Sequence, residues 1–194
     1  GAYGGSARLL LADSVARIEE GVISSDGRWL LFQKDATGVA DVWYKSIAPE
    51  STAHPVATSI HAEHGPRFSP DGRWLAYTSL ESGVSQVYVR PFPSLDGRFQ
   101  VSLDGGATPV WSRDGRALHY VVGSSVLRAT LRTSPEFAVV SRDTLSAGAF
   151  SFTVIHADFD VFPDGRRVLG LVPTGLDTRL TMTHRWGLLV AERR

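Results

Sequence analysis

Ser69-Pro70-Asp71-Gly72-Arg73-Trp74-Leu75-Ala76-Tyr77 is one of four related stretches in this sequence. The other three are Ser25-Asp26-Gly27-Arg28-Trp29-Leu30, Ser112-Arg113-Asp114-Gly115-Arg116-Ala117-Leu118 and Phe162-Pro163-Asp164-Gly165-Arg166-Arg167-Val168. The aspartates of consecutive copies are 45, 43 and 50 residues apart. A period of this length indicates one supersecondary unit copied in tandem, as in solenoids and propellers.

Each copy predicts the tip of a β-hairpin. Pro70 presets the backbone angle of the second turn position, aspartate suits the third, and Gly72 accepts the left-handed conformation that closes such a turn. Short apolar strands precede and follow the tip, and a third strand at 86–90 and a fourth at 98–102 follow in the second copy. Four antiparallel strands in about 40–50 residues is the blade of a β-propeller.

The repeats therefore predict an all-β chain, with helix confined to isolated turns, folded as one propeller domain over residues 1–194. The blades are expected at about 16–59, 60–104, 105–146 and 148–194, and residues 7–12 read as an orphan outer strand. Residues 150–154 are an insertion relative to the repeat. The first copy lacks the proline and the fourth has Phe162 in place of serine, so other turns stay open at those two tips.

The signature is similar to the TolB-type propeller repeat, a Ser-Pro-Asp-Gly-Arg-aromatic-Leu-Ala-Tyr run. The second copy, from Glu63 to Gly106, resembles in particular the C-terminal propellers of bacterial membrane-attached serine/threonine kinases, in which Val87-Tyr88-Val89-Arg90-Pro91-Phe92-Pro93 and Gly105-Gly106 are typical. The resemblance implies a non-catalytic interaction or sensing platform on the extracytoplasmic face of a bacterial cell. It specifies a fold and no chemistry.

Four blades is the smallest number usual for a propeller. The repeats leave open whether the chain closes as a small ring, forms part of a longer propeller, or pairs with a second chain into an eight-blade ring. Exposed sheet edges favour pairing with another sheet, so self-association is expected.

Composition excludes several classes of function. With 20 acidic and 20 basic residues the formal net charge is zero, which argues against nucleic-acid binding through bulk electrostatics. The absence of cysteine excludes disulfides and thiolate metal sites. No run of 18 apolar residues occurs, so the sequence predicts no insertion into a membrane.

Candidate ligand-binding residues precede each signature aspartate by six to eight positions, where inner strands begin and loops converge on the channel mouth. We expect a protein or a small molecule to bind there, and no cofactor is predicted. The candidates are Glu19, Glu20, Glu63, His64, Thr108, His156 and Asp158.

No catalytic residue is assigned, because the chain has no Gly-x-Ser-x-Gly nucleophile elbow and no phosphate-binding glycine loop. The alternative is a small propeller hydrolase or lyase, in which Glu20, Glu63, His64, His156 and Asp158 act as acid, base or metal ligands. His61, His64 and His156 are weak candidates for metal ligands, since their spacing matches no metal motif. His119 lies within a strand, where a packed, hydrogen-bonded histidine is expected.

Overall fold

The computed structural model describes residues 9–147, 157–174 and 177–184. In these residues every regular element is a β-strand, as the repeat predicted. The strands are β1 (Arg17–Ile23), β2 (Trp29–Asp35), β3 (Ala40–Ser46), β4 (Ala53–Ala57), β5 (Glu63–Phe68), β6 (Trp74–Ser79), β7 (Gln86–Pro91), β8 (Phe99–Gln100), β9 (Ala107–Trp111), β10 (Ala117–Val122), β11 (Ser125–Arg132), β12 (Ala138–Ser146), β13 (Phe159–Val161), β14 (Arg167–Thr174) and β15 (Asp177–His184).

The strands form four antiparallel sheets, one for each copy of the repeat. The first three sheets are four-stranded, in the orders β1-β2-β3-β4, β5-β6-β7-β8 and β9-β10-β11-β12. The described part of the fourth is β13-β14-β15. Within each sheet every strand pairs with the next along the chain, because these strands are joined by short turns. The sheets are the blades of a propeller, and the inner strand β5 packs between the inner strands β1 and β9.

The core lies between blades rather than inside any one of them. Alternate side chains of a strand point to opposite faces, so β7 sends Tyr88 towards the first blade and Val87 and Val89 towards the third. The interface of the first and second blades buries Leu31, Val42, Val56, Leu75, Tyr77, Tyr88 and Phe92. A larger apolar cluster joins the second blade to the third, and a smaller one joins the third to the fourth.

All four signature hairpins have the same turn. The glycine N–H donates to the carbonyl three residues earlier at 2.8–3.0 Å in every copy, and the glycine φ lies between 64° and 70°. The different turns left open for the first and fourth tips are therefore not found. The aspartate and glycine are sufficient, since in each hairpin the aspartate Oδ1 also accepts from the backbone N–H two residues on.

Residues 9–12, part of the expected outer strand at 7–12, lie in no strand of the structure, and residues 7 and 8 are outside the described residues. The segment is instead fastened to the first blade by side chains. Lys45 Nζ donates to the Leu10 carbonyl at 3.1 Å, and Lys34 Nζ pairs with Asp13 Oδ2 at 2.7 Å. Both contacts hold the segment through side chains of β2 and β3, so it needs no backbone ladder.

The four sheets lie inside the four repeat segments expected from the sequence. The predicted insertion at 150–154 and the candidate His156 lie outside the described residues. The final blade is described as far as His184.

Candidate functional site

The inner strands of the first three blades carry a β-bulge at the same level. The register shifts between Ile18 and Gly21 in β1, between His64 and Arg67 in β5, and opposite Tyr120 in β9. A bulge re-aims side chains and bends the strand, and bulges are frequent beside functional sites. The predicted site residues Glu19, Glu20 and Thr108 lie in these bulges.

Glu19 and Glu20 are both half-buried, and Glu19 contacts residues of its own blade whereas Glu20 contacts the second blade. Glu19 pairs with Arg17 and accepts a hydrogen bond from the Gln33 amide within its own blade. Glu20 Oε1 forms an ion pair of 2.7 Å with Arg67 Nη1 of the second blade. This pair joins two adjacent inner strands, so Glu20 has a structural partner across the blade interface.

Glu63, at the start of β5, is the most buried of the predicted site residues that carry a charge, with 2% exposure. Its Oε1 accepts from Ser59 Oγ at 2.9 Å and from Ser79 Oγ at 3.3 Å. Burial, helped by the neighbouring Asp41 carboxylate and opposed by the hydrogen bonds from Ser59 and Ser79, raises the pKa of Glu63 to about 7. At neutral pH the group is therefore close to half-protonated.

Asp41 completes a carboxyl pair with Glu63. Burial also raises the pKa of Asp41, while hydrogen bonds from the Ser59 backbone and from Glu63 oppose the shift. Asp41 Oδ1 and Glu63 Oε2 are both buried, and among the described residues neither oxygen has a hydrogen-bond donor other than the other carboxyl group. A single proton on Glu63, donated to Asp41, satisfies both oxygens, so the two carboxyl groups titrate as a pair.

A cleft of about 420 Å³ between the first and second blades leads to Glu63. One wall is the end of β4 with residues 55–59, and the other carries Tyr77, Glu81, Arg90 and Arg98. The Arg98 guanidinium lies 4.4 Å from the centre of the Tyr88 ring and pairs with Glu81 at the rim. The cleft therefore presents both signs of charge at its entrance and a buried acid at its floor.

Two further residues of the cleft differ in what they offer a ligand. Arg90 holds the two blades together, since its guanidinium donates to the carbonyls of Val56, Leu95 and Gly97 at 2.5, 2.7 and 3.1 Å. Tyr77 is 1% exposed, and burial raises the pKa of its hydroxyl while the charge of Arg98 opposes the shift. Tyr77 and Arg98 line the cleft with side-chain partners of their own, whereas Arg90 is committed to backbone carbonyls of the fold.

The remaining predicted residues are spread around the inner strands. Thr108 is buried, has a φ of 51°, and its N–H donates to Thr78 Oγ1 of the second blade at 3.0 Å. His64 and Asp158 are half-buried, on β5 and just before β13. His61 is half-buried in the loop that precedes β5, and its N–H donates to Ser59 Oγ at 2.9 Å.

In the part of the chain that the structure describes, no group of three or more histidine, aspartate or glutamate side chains is placed to hold a metal ion. The same residues contain no helix with the length and apolar character needed to span a bilayer. Of the predicted site residues, the cleft between the first two blades includes Glu63.

Sequence reasoning identified Glu63 but missed Asp41, Tyr77, Glu81 and Arg98. Tyr77 belongs to the repeat signature, which predicts a fold and no chemistry. Asp41 lies 22 residues before Glu63, in the first blade. Arg98 lies 35 residues after Glu63, directly before β8 of the same blade. The pairing of blades that brings them together leaves no trace in local sequence.

No protein-family model and no curated protein matches this sequence. Solved structures do match its fold. TolB from Acinetobacter baumannii matches with a TM-score of 0.63 and 17% identity, over 84% of this chain and 40% of that chain. A puromycin-hydrolyzing peptidase of Mycobacterium tuberculosis matches with a TM-score of 0.63 and 15% identity, over 87% and 30% of the two chains.

The β-propeller domain of the Trilobed protease from Pyrococcus furiosus also matches, with a TM-score of 0.52 and 13% identity, over 89% of this chain and 55% of that domain. These similarities show that the chain has a TolB-like β-propeller fold. It spans 40% of the length of the TolB chain. At such low identities the likeness concerns fold alone, and the neighbours include both TolB and hydrolases.

Proposed function

We propose that this chain is a non-catalytic binding module that takes up a polar ligand, a small molecule or a segment of a protein, in the cleft between its first and second blades. The observation that carries the proposal is the cleft itself, about 420 Å³ in volume, with the buried Glu63 at its floor. Clefts of this size with a few convergent polar groups are the usual form of ligand sites.

The chemistry of the lining indicates the kind of ligand. Arg98 and Glu81 lie at the rim with side-chain exposures of 40% and 46%, so each can exchange its partner for a group of opposite charge on a ligand. The Tyr77 hydroxyl and the Glu63 carboxyl offer hydrogen bonds deeper in the cleft. A ligand with both donors and acceptors suits this arrangement better than an apolar one.

The test is a nuclear magnetic resonance screen of the isotope-labelled chain against amino acids, dipeptides, sugars and nucleotides. We expect at least one probe class to shift the resonances of Tyr77, Glu81 and Arg98, and Arg98→Gln to weaken that binding about tenfold, as loss of one charge-assisted hydrogen bond does. The matched control is Arg73→Gln, a hairpin arginine of the same blade outside the cleft. Shifts confined to other surfaces would contradict the proposal.

A catalytic role is a second candidate because of the Asp41–Glu63 pair. Two carboxyl groups in unequal environments can act as acid and base, and a glutamate with a pKa of about 7 is poised to exchange a proton at neutral pH. Conversion of any probe during the same screen, abolished by Glu63→Gln, would favour this hydrolase or lyase function. Binding without conversion favours the binding module.

We also propose that the chain derives from a longer bacterial protein of the kinase-associated propeller type. Support comes from Val87 to Pro93 and Gly105-Gly106, the residues in which the second copy resembles those propellers. The genomic reading frame around this segment tests the proposal. A preceding kinase domain is expected, and a gene without one would contradict it.

A further inference from the structure

The third and fourth blades enclose a second cleft, of about 310 Å³, beside their signature hairpins. One wall comes from β10 and β11 of the third blade and includes Ala117, His119 and Arg128. The facing wall is the fourth hairpin, residues 162–165. This cleft is separate from the one between the first and second blades, and it shares no lining residue with it.

The cleft coincides with a change in the repeat. The position of Ala117 is occupied by Trp29 in the first blade and by Trp74 in the second. Those indoles pack on phenylalanines of the next blade, Trp29 on Phe92 at 5.3 Å and Trp74 on Phe137 at 5.0 Å between ring centres. Alanine removes that wedge from the third blade, which leaves room for a ligand.

Two polar side chains replace apolar ones at neighbouring positions. His119 and Arg128 are directly opposite in the β10–β11 ladder. The corresponding pair is Leu31 and Tyr44 in the first blade and Ala76 and Val89 in the second. In those blades the pair packs in the core between blades. Polar groups at core positions cost stability unless they are satisfied, so their presence calls for a partner.

His119 provides a buried acceptor. Its side chain is fully buried, and Nδ1 must donate to the Val110 carbonyl, 3.3 Å away, because a carbonyl can only accept. Burial lowers the pKa of His119 to about 4, so the ring is neutral at pH 7. Nε2 is then an acceptor, and among the described residues it has no hydrogen-bond partner.

Arg128 provides a buried donor beside it. One terminal nitrogen pairs with Asp143 Oδ2 at 3.1 Å, but Nε is buried and has no partner among the residues that the structure describes. The Arg128 side chain is 35% exposed, so it is the movable part of this wall. The cleft thus holds an unsatisfied donor next to an unsatisfied acceptor.

The charges around the opening favour an anion. Arg113 and Arg116 also line the cleft, against the carboxylates of Asp114 and Asp164. Both carboxylates are engaged inside their own hairpins: Asp114 accepts from Ser112 Oγ at 2.7 Å, and Asp164 accepts from Arg167 Nε at 2.9 Å. Arginine is the residue best suited to phosphate and carboxylate groups.

We propose that this cleft binds a small hydroxylated anion, such as a sugar phosphate or a sugar acid. The anionic oxygens accept from Arg128, assisted by Arg113 and Arg116. A neighbouring hydroxyl of the ligand donates to His119 Nε2. The Phe162 ring lines the facing wall and can cover the carbon skeleton.

Titration calorimetry with glycerol 3-phosphate, glycerate and glycerol tests this proposal. We expect both anions to bind at millimolar concentration or better and glycerol to show no binding. Arg128→Gln should weaken anion binding about tenfold or more, the effect of losing a hydrogen bond to a charged group. Ala117→Trp, which restores the wedge of the other blades, should abolish binding while the melting temperature stays the same or rises.

The matched control is Arg73→Gln, at the repeat position of Arg116 but in the second blade. It should bind both anions as the original chain does. Failure of both anions to bind at millimolar concentration would overturn the proposal. Equal weakening by Arg73→Gln, or unchanged binding in Ala117→Trp, would show adventitious binding to surface arginines and would overturn it too.

Discussion

At the scale of single residues, the signature serines and aspartates close their own hairpins. In the second copy Ser69 Oγ donates to Asp71 Oδ1 at 2.7 Å and accepts from the Trp74 N–H at 2.9 Å. The first and third copies repeat this network. Such hydrogen bonds lower the pKa of Asp71 despite its partial burial. The signature serine and aspartate therefore serve to close the hairpin.

Gly72 gives the most direct test of the hairpin. Its φ is 68°, and a Cβ added there would meet nothing within 4 Å, so any cost of Gly72→Ala comes from backbone strain. We expect a loss of about 1 kcal/mol in the free energy of unfolding. Gly21→Ala is the control, since its nearest neighbour, Leu30 Cδ1 at 3.6 Å, is at an ordinary contact distance. Chemical denaturation measures both, and equal stability of the two variants would contradict the assignment.

Glu63 should make stability depend on pH. Its pKa is about 7 in the folded chain and near 4.5 otherwise, so between these values the folded state binds more protons than the unfolded state. The contribution of Glu63 to the free energy of unfolding is therefore complete below about pH 4.5. This contribution is lost as the pH rises towards 7, and the loss amounts to up to about 3 kcal/mol. Glu63→Gln should remove this fall, and urea titrations at pH 5 and pH 8 compare the variants. A chain that loses no stability between these pH values, relative to the variant, would refute the shared proton.

At the scale of elements, aromatic side chains link the first blade to the second. Phe92, which follows β7, makes edge contacts with Trp29, Tyr44 and Phe68 at 5.3, 5.2 and 5.1 Å between ring centres. Phe92 thus has a packing role in the interface of the first and second blades. Gly106 has a similar role, since a Cβ there would lie 2.7 Å from Ser102 Cβ.

Truncation of Phe92 should destabilise the fold. Phe92→Ala is expected to lower the free energy of unfolding by about 3–5 kcal/mol, because it leaves a cavity between two blades. In a double-mutant cycle with Trp29→Ala we expect a coupling of about 0.5–1.5 kcal/mol for the aromatic pair. Val84→Ala, at a residue that is 56% exposed, is the control and should change stability by less than about 0.5 kcal/mol. Additive effects of the two truncations would show that the rings do not act together.

At the scale of the whole molecule, we propose that four blades associate with a second copy. A propeller blade buries its core only against a neighbour, so the lateral faces of the outermost blades need cover from another sheet or chain. Light scattering at micromolar concentration should give a mass near twice the 21.1 kDa of one chain. A monomer over the whole concentration range, with an unchanged melting temperature on dilution, would contradict this expectation.

The sequence by itself determined the fold class, the four copies of the blade and the turn at the second and third tips. These features depend on contacts between residues close in the chain, such as Asp71 with Ser69, and such contacts are encoded by residue type and spacing. It also identified Glu63 as a candidate site residue, from its place at the start of an inner strand.

Only the tertiary structure decided which polar side chains meet between blades and which of them line the two clefts. Asp41 meets Glu63, and Glu20 meets Arg67, because one blade packs on the next. His119 was correctly expected to be packed and hydrogen-bonded, but its unsatisfied nitrogen and its place beside Arg128 follow from pairing and burial. Contacts between blades join residues that are distant in sequence, and the packing of the blades decides which buried polar atoms lack a hydrogen-bond partner. A local sequence pattern therefore cannot predict which polar atoms these are.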